Sequence, residues 1–217
     1  MEAVQTIALS MGLAWASGIN LYAAVFMLGV LQHSGHVMLP AELEVVADPL
    51  VMFAAGLMYG IEFVADKVPG VDSGWDALHT FVRIPAGAVL AARALGDVSP
   101  AAELAAGLLG GAFAASSHAL KAGTRLAINT SPEPFSNIAA SLSEDVLVIG
   151  GLWTALYHPF VFLGLLLLFA LLAAWALPRL WRTLKRIAAF LMQPVRRLRT
   201  PVPEPQSPAP PSPPAPS

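Results

Sequence analysis

A stripe of ionisable side chains runs along one predicted helix in an otherwise apolar part of the chain. Asp72, Asp76, His79 and Arg83 follow one another at steps of four, three and four residues, so a helix places all of them on one face. Carboxylates and an imidazole can bind cations or carry protons, and a guanidinium can hold an anion. The depth of Arg83 in its apolar segment favours a functional or inter-helix role over an interfacial one.

Further ionisable residues lie in the neighbouring apolar segments. Glu62 and Asp66 are four residues apart at the end of one segment, and Glu62 lies one turn deeper. The later segments hold a basic stripe and then an acidic pair, at His118, Lys121, Arg125, Glu144 and Asp145. Charged side chains near the ends of spans commonly extend to the membrane interface. We expect this of the set Asp66, Lys67, Lys121 and Arg125.

Two segments have features that interrupt a helix. Residues 4–31 are too long for one straight span and contain Gly18 and Asn20, so they form either one tilted helix or two half-helices joined at Gly18. Glycine allows helices to approach closely, and Asn20 offers a donor and an acceptor for packing or for substrate contact. The loop 129–137 holds two prolines and is predicted to be a re-entrant or broken segment.

The candidate ligand-binding residues are those expected deep inside the protein. They are Asn20, Glu62, Asp76, His79, Arg83, His118 and Glu144. The sequence contains no HExxH, GxSxG or P-loop pattern, so no catalytic residue and no cofactor is assigned, and a metal site is left undetermined.

The surrounding composition explains where these residues must be placed. The chain is 56% hydrophobic and only 12% charged, and it has no cysteine. Soluble domains carry about 25% charged residues, so lipid is the expected surrounding. Spans need roughly 20 apolar residues each, and six are predicted, at residues 4–31, 50–65, 78–95, 104–120, 138–157 and 160–177. The predicted fold class is all-α, a polytopic transmembrane helix bundle with interrupted helices.

Two hairpins of this bundle share an outline that suggests an internal repeat. Residues 50–95 and 104–157 each read as an apolar helix, a polar loop with proline and a second apolar helix. Parallel repeats of this kind are related by an axis along the membrane normal. An offset of 61 residues matches Arg83 with Glu144, so we predict that this pair meets across the axis. Glu62 or Asp66 is likewise predicted to meet the basic stripe.

Three regions organise the chain. Residues 1–178 form the helical domain, residues 179–199 a basic amphipathic segment for the membrane surface, and residues 200–217 a disordered proline-rich tail. Seven of the twelve Lys and Arg lie in the second region, which predicts a cytoplasmic C-terminus. The lipid bilayer is the expected partner; a homodimer and a protein partner for the tail are further expectations, whereas nucleic acid is not.

Several polar strings in this apolar chain carry a family resemblance. They run from Ser17 to Tyr22, from Glu62 to Asp72, from Trp75 to Arg83 and from Asn129 to Asn137, followed by the acidic pair. Together, in this order, they resemble the bacterial membrane family catalogued as domain of unknown function 4126. The resemblance spans about Leu9 to Pro159. It implies a multi-span inner-membrane protein and implies no activity.

Three functions are compatible with these residues. A small transporter or permease for an ion or small solute is favoured, because such proteins place ionisable groups and broken helices at a repeat interface. A structural or accessory protein, whose polar residues lock helices together, is the alternative. A membrane enzyme is a weaker one, with a hard divalent metal bound by the set Glu62, Asp66, Asp72, Asp76 and His79.

Overall fold

The computed structural model describes residues 2–68, 70–129 and 134–197. These residues form six α-helices and one 3₁₀ helix and contain no strand, which confirms the all-α class. The helices are α1 (Glu2–His33), the 3₁₀ helix (Ala41–Ala47), α2 (Pro49–Ala65), α3 (Val71–Arg93), α4 (Pro100–Ile128), α5 (Pro134–Tyr157) and α6 (Pro159–Arg197). The centre of the predicted re-entrant loop, residues 130–133, and the predicted tail lie outside the described residues.

Two helices begin with the same local device, a capping side chain followed by proline. The Asp48 carboxylate accepts a hydrogen bond from the backbone N–H of Leu50 at 2.8 Å, and Pro49 begins α2. The Ser99 hydroxyl accepts from the N–H of Ala102 at the start of α4. Proline has no N–H to leave unpaired at this position and its fixed φ suits a first helical turn. Local sequence therefore sets where both helices start.

Helix α1 is the central helix and is broken at Asn20. It packs against α2, α3, α4 and α5. At Asn20 the backbone leaves helical geometry, with φ −146° and ψ 93°. The Asn20 Oδ1 atom then accepts a hydrogen bond from the N–H of Ala23 at 3.0 Å, as an N-cap does at a helix start. The segment is thus two half-helices, joined two residues after the predicted point.

Small residues allow α1, α3 and α4 to approach closely. A methyl group added at Gly18 would fall on Ser117 and on the carbonyl of Ala114, and one added at Gly87 would lie 2.6 Å from the Ala114 Cβ. The Ser117 hydroxyl donates across the same contact to the carbonyl of Trp15 at 2.8 Å. This is the packing expected of helices in lipid, where close backbone contact replaces a hydrophobic driving force.

The outward and inward faces of the bundle have inverted polarity. On α3, Phe81 is 82% exposed and Leu78 is 65% exposed, whereas Arg83 and Asp76 are buried. On α4, Leu104 and Leu108 are exposed in the same way. Water would favour the opposite arrangement, but a hydrocarbon surrounding favours this one.

Length and composition identify three or four helices that can cross a membrane, fewer than the six spans predicted from the sequence. By length and composition, α1, α5 and α6 can each cross a membrane, and a fourth span is formed if the 3₁₀ helix and α2, bent by 62°, count as one. Helices α3 and α4 fall outside this set because their inner faces carry the charged stripes. Their crossing, and the total of six, stays a prediction that their apolar outer faces support.

The chain divides into two compact units after Pro178. In the second unit, the part of the predicted basic segment that the structure describes is helical as far as Arg197. There the Lys185 ammonium lies 5.0 Å from the centre of the Trp181 ring.

Replacing Gly18 by alanine should destabilise the protein, because the added methyl group meets the α4 backbone. Overpacking of this kind costs about 1–3 kcal/mol. The matched control is Gly164→Ala on α6, where an added methyl group has nothing within 4 Å. We expect a lower melting temperature for the purified Gly18→Ala protein and an unchanged or higher one for the control. Equal melting temperatures for both variants would contradict the close α1–α4 contact.

Candidate functional site

Seven ionisable side chains meet inside the bundle and form what we call the buried ion cluster. Its ion pairs measure between 2.6 and 3.6 Å. The members come from the end of α2 and from α3, α4 and α5, and they are Glu62, Asp66, Asp76, Arg83, Lys121, Arg125 and Glu144. All side chains are at most 3% exposed except that of Glu144, at 13%.

Arg83 bridges two carboxylates with the two ends of its guanidinium. Its Nη2 atom donates to Glu62 Oε1 at 2.6 Å and its Nη1 atom donates to Asp76 Oδ1 at 2.8 Å. The predicted Arg83–Glu144 pair is therefore wrong. The reason is the packing: α3 lies against α1 and α4, while α5 lies mainly against α1, so α4 supplies the cations that reach Glu144.

Lys121 is the centre of the cluster. Its Nζ atom lies 3.1–3.6 Å from oxygens of four carboxylates, those of Glu62, Asp66, Asp76 and Glu144. The same atom donates to the carbonyl of Ile19 at 3.0 Å, directly before the break in α1. A lysine at a helix C-terminus pairs favourably with the last carbonyl groups and the helix dipole. Lys121 therefore connects the cluster directly to the break in α1.

Arg125 joins α5 to the end of α2. It holds Glu144 through two hydrogen bonds, from Nε at 3.0 Å and from Nη2 at 2.7 Å. Its Nη1 atom also donates to the backbone carbonyls of Asp66 at 3.0 Å and Asn137 at 3.1 Å. Planar, two-pronged contacts of this kind are the strong form of an arginine–carboxylate pair.

An amide chain extends the cluster toward the start of α3. The Asn137 side chain donates to the Asn129 side chain at 2.9 Å, and Asn129 donates to the Asp72 carboxylate at 2.8 Å. Asp72 also accepts from the N–H of Gly70 at 2.9 Å and that of Ser73 at 2.6 Å. Asp72 is therefore held by amide groups and not by the cations of the cluster.

His118 lies at the edge of the cluster and its hydrogen bonds define its tautomer. Thr80 gives its hydroxyl hydrogen to the carbonyl of Asp76 at 3.0 Å, so it accepts from His118 Nε2 at 2.7 Å. The Nδ1 atom then carries the lone pair and accepts from Arg83 Nη1 at 3.4 Å. A neutral imidazole satisfies both of its contacts, as donor to Thr80 and as acceptor from Arg83.

Two of the predicted site residues lie beside the cluster without joining it. His79 contacts the Tyr22 hydroxyl at 3.1 Å and the carbonyl of Trp75 at 2.9 Å, and its ring stacks on that of Trp75 with 4.3 Å between centroids. Asn20 donates to the Asp145 carboxylate at 3.1 Å. The other five predicted residues, Glu62, Asp76, Arg83, His118 and Glu144, are brought together.

Three members of the cluster were expected at the membrane interface, and that expectation is wrong. Asp66, Lys121 and Arg125 are all buried in the described structure. The cause is tertiary, because α1 and the end of α2 cover the end of α4. The signal that could have found them is their spacing: His118, Lys121 and Arg125 lie three and four residues apart, and so share one helix face.

The charges of the cluster do not balance. Four carboxylates face three cations, so one negative charge is in excess when His118 is neutral. Among the described residues, the atoms Glu62 Oε2, Asp66 Oδ1 and Asp76 Oδ2 are buried without a hydrogen-bond partner. An excess buried carboxylate is stabilised by a proton or by a bound cation. The cluster is chemically suited to exchange one.

A multi-carboxylate metal site is not assembled in the part of the chain that the structure describes. No three histidine or acidic side chains there are grouped to hold a metal ion. The five residues considered for a divalent metal are divided instead between the cations of the cluster, the Asn129 amide and the aromatic contacts of His79.

An apolar exterior around a charged interior defines a helical membrane protein. Within that class, the chain belongs to the family described as Domain of unknown function (DUF4126), whose family model matches residues 7–179. Searches of curated proteins and of solved structures each return no match.

Removing the Arg83 charge should destabilise the protein, and removing one partner with it should restore part of the loss. Breaking a buried pair on one side costs about 3–5 kcal/mol because it leaves a charge uncompensated. Arg83→Met therefore should cost that amount, whereas Arg83→Met with Glu62→Gln returns the cluster to its original net charge.

Denaturation of the purified variants measures both effects. The control is Arg93→Met on the same helix, at an exposed position where a change within about 0.5 kcal/mol is expected. Additive losses in the double variant would argue against the Arg83–Glu62 pair.

Proposed function

We propose that this protein is a small permease that moves a cation, or a proton in exchange for one, through the buried ion cluster. The observation that carries the proposal is the uncompensated carboxylate in a closed interior. Ionisable groups within a membrane are costly and usually mark an ion or proton pathway. A protein that only needed a firm core would be served as well by apolar side chains of similar volume.

The break in α1 supports this proposal. Transporters commonly bind their ions where helices are discontinuous, because unpaired carbonyl groups and helix ends face the site. Here the carbonyl of Ile19 meets Lys121, and Asn20 starts the second half-helix while contacting Asp145. The break thus brings backbone dipoles and a further carboxylate next to the cluster.

The shared position of Lys121 suggests how the site could exchange its ion. One ammonium group lies within 3.6 Å of four carboxylates, so it can favour one set of partners over another with little movement. In the proposed cycle, a proton or cation takes over one carboxylate and Lys121 shifts toward the others. Glu144, the most exposed member, is the proposed entry point.

Transport in proteoliposomes tests the proposal directly. We expect purified protein to carry protons, sodium, potassium or a small ammonium ion down an imposed gradient at least about tenfold faster than empty liposomes. Glu62→Gln should remove this flux, since it removes the excess charge. Glu44→Gln, at an exposed acidic residue of the 3₁₀ helix, is the matched control and should transport normally.

The flux of the Glu62→Gln protein is interpreted only after its folding has been measured. The Glu62→Gln protein must show cooperative unfolding so that a lost flux is not a lost fold. If the original protein transports none of these cations above empty liposomes, the proposal fails.

A structural role is the alternative, and one observation favours it. The cations of the cluster are fully engaged and connect α1 through α5: Lys121 contacts Ile19, Arg83 contacts Glu62, and Arg125 contacts Glu144. In that case cations leave the melting temperature unchanged, whereas binding by a transporter raises it by mass action. Substitutions in the cluster would then lower the stability of the protein without affecting any transport.

The proposed location is the inner membrane of a bacterium, with several spans and a cytoplasmic C-terminus. The basic residues from Arg179 onward support this orientation through the positive-inside rule. The acidic segment between α1 and α2 then lies outside.

Single-cysteine labelling tests this topology, and the chain suits it because it has no cysteine of its own. Met38 is 94% exposed after α1, and Val68 is 46% exposed after α2. We expect a membrane-impermeant maleimide to label Met38→Cys in intact cells and Val68→Cys only after permeabilisation. The reverse pattern would invert the topology.

A further inference from the structure

A lateral groove of about 700 Å³ lies between α1, α4, α5 and α6. Its walls are largely apolar, with Trp15, Leu147, Phe162 and Phe169 among them. Two further lining residues, Leu165 and Leu168, are exposed, so the groove opens on the lipid-facing surface of the bundle. Pockets that hold small organic ligands have volumes of about 300–1,000 Å³ and similar apolar walls.

One end of the groove reaches the buried ion cluster. Glu144 and Lys121 are the ionisable residues that line it within the described structure. The Lys121 side chain is 1% exposed and its three hydrogens already serve Ile19, Glu62 and Asp66. The Glu144 side chain is 13% exposed. Glu144, which pairs with Arg125 and lies 3.3 Å from Lys121, is therefore the more accessible of the two charged groups at this end of the groove.

The hydroxyl groups along the groove add acceptors and no donors. Thr124 gives its hydroxyl hydrogen to the carbonyl of Leu120 at 2.8 Å, and Ser143 gives its own to Ala139 at 2.7 Å. Thr154 does the same with Gly150 at 2.6 Å. Each hydroxyl has one hydrogen, so what remains for a ligand is the oxygen lone pairs. A ligand here must supply hydrogen-bond donors.

We infer that this groove binds an amphipathic amine, with an apolar body along α5 and α6 and a protonated amino group at Glu144. An ammonium group can pair with the more exposed Glu144 carboxylate, and it supplies hydrogen-bond donors to the free oxygen lone pairs along the groove. A neutral or anionic amphiphile of the same length supplies only the apolar contact. The inference concerns binding and is tested without transport, so the permease proposal can fail while this one stands.

Binding of three amphiphiles with one shared chain length tests the head-group preference. The full-length protein is placed in nanodiscs of phosphatidylcholine, and radiolabelled dodecylamine, dodecanol and dodecanoate are titrated, with empty nanodiscs subtracted. We expect saturable dodecylamine binding at neutral pH, at least about tenfold tighter than that of the other two, because hydrogen bonds to charged groups are the stronger kind. Glu144→Gln should weaken dodecylamine binding by a similar factor and leave dodecanol unchanged.

A pair of glycine variants locates the binding in the groove. Gly150 lines the groove and an added Cβ there has nothing within 4 Å, so Gly150→Leu fills the groove without a clash at Cβ. Gly164 has equally open space but does not line the groove, so Gly164→Leu is the matched control. Dodecylamine binding should fall at least about tenfold in the first variant and stay unchanged in the second.

Two results would overturn the inference. The first is equal binding of dodecylamine and dodecanol, which would make the groove a nonselective site for lipid chains. The second is unchanged amine binding in Gly150→Leu, which would place the amine elsewhere. If that variant also lowers the oligomeric state of the protein, the groove is assigned to a second copy of this chain.

Discussion

The ammonium group of Lys121 holds the structure together at one point. It lies 3.0 Å from the carbonyl of Ile19 and within 3.6 Å of four carboxylates, and its side chain is only 1% exposed. A buried lysine is costly unless it is paired, and so is each of those carboxylates. The charges are therefore tolerable only as a set, and the helices that carry them must be in place together. This explains why a break in α1 and an inverted distribution of polarity occur in one protein.

The close packing of α1, α3 and α4 makes this arrangement geometrically accessible. Gly18 and Gly87 remove side chains where the helices meet, and Ser117 bonds to the backbone of α1 instead. The short distance between α1 and α4 is what allows Lys121 to reach the carbonyl of Ile19. In lipid, such contacts carry the association that the hydrophobic effect supplies in water.

Glu144 connects the two functional proposals. It pairs with Arg125 inside the cluster, and it is the member whose side chain also lines the groove between α5 and α6. A charged ligand in the groove therefore changes the electrostatic interactions of the cluster, because both sites include the Glu144 carboxylate. The cluster carries one excess negative charge and one end of the apolar groove reaches it, so both proposals specify a positively charged ligand.

Composition and local pattern determined the class of this protein. Long apolar segments predicted an all-α membrane bundle, and the polar stripe of Asp72, Asp76, His79 and Arg83 at helical spacing predicted the inward face of α3. Five of the seven predicted site residues meet for that reason.

The partners of those residues were decided only by tertiary structure. Arg83 pairs with Asp76 of its own helix and with Glu62 of α2. Lys121 and Arg125 are buried by neighbouring helices. His79 contacts the Tyr22 hydroxyl and stacks on the Trp75 ring. Helical spacing defines which face a side chain is on, but which helix lies opposite that face depends on packing between segments far apart in the chain.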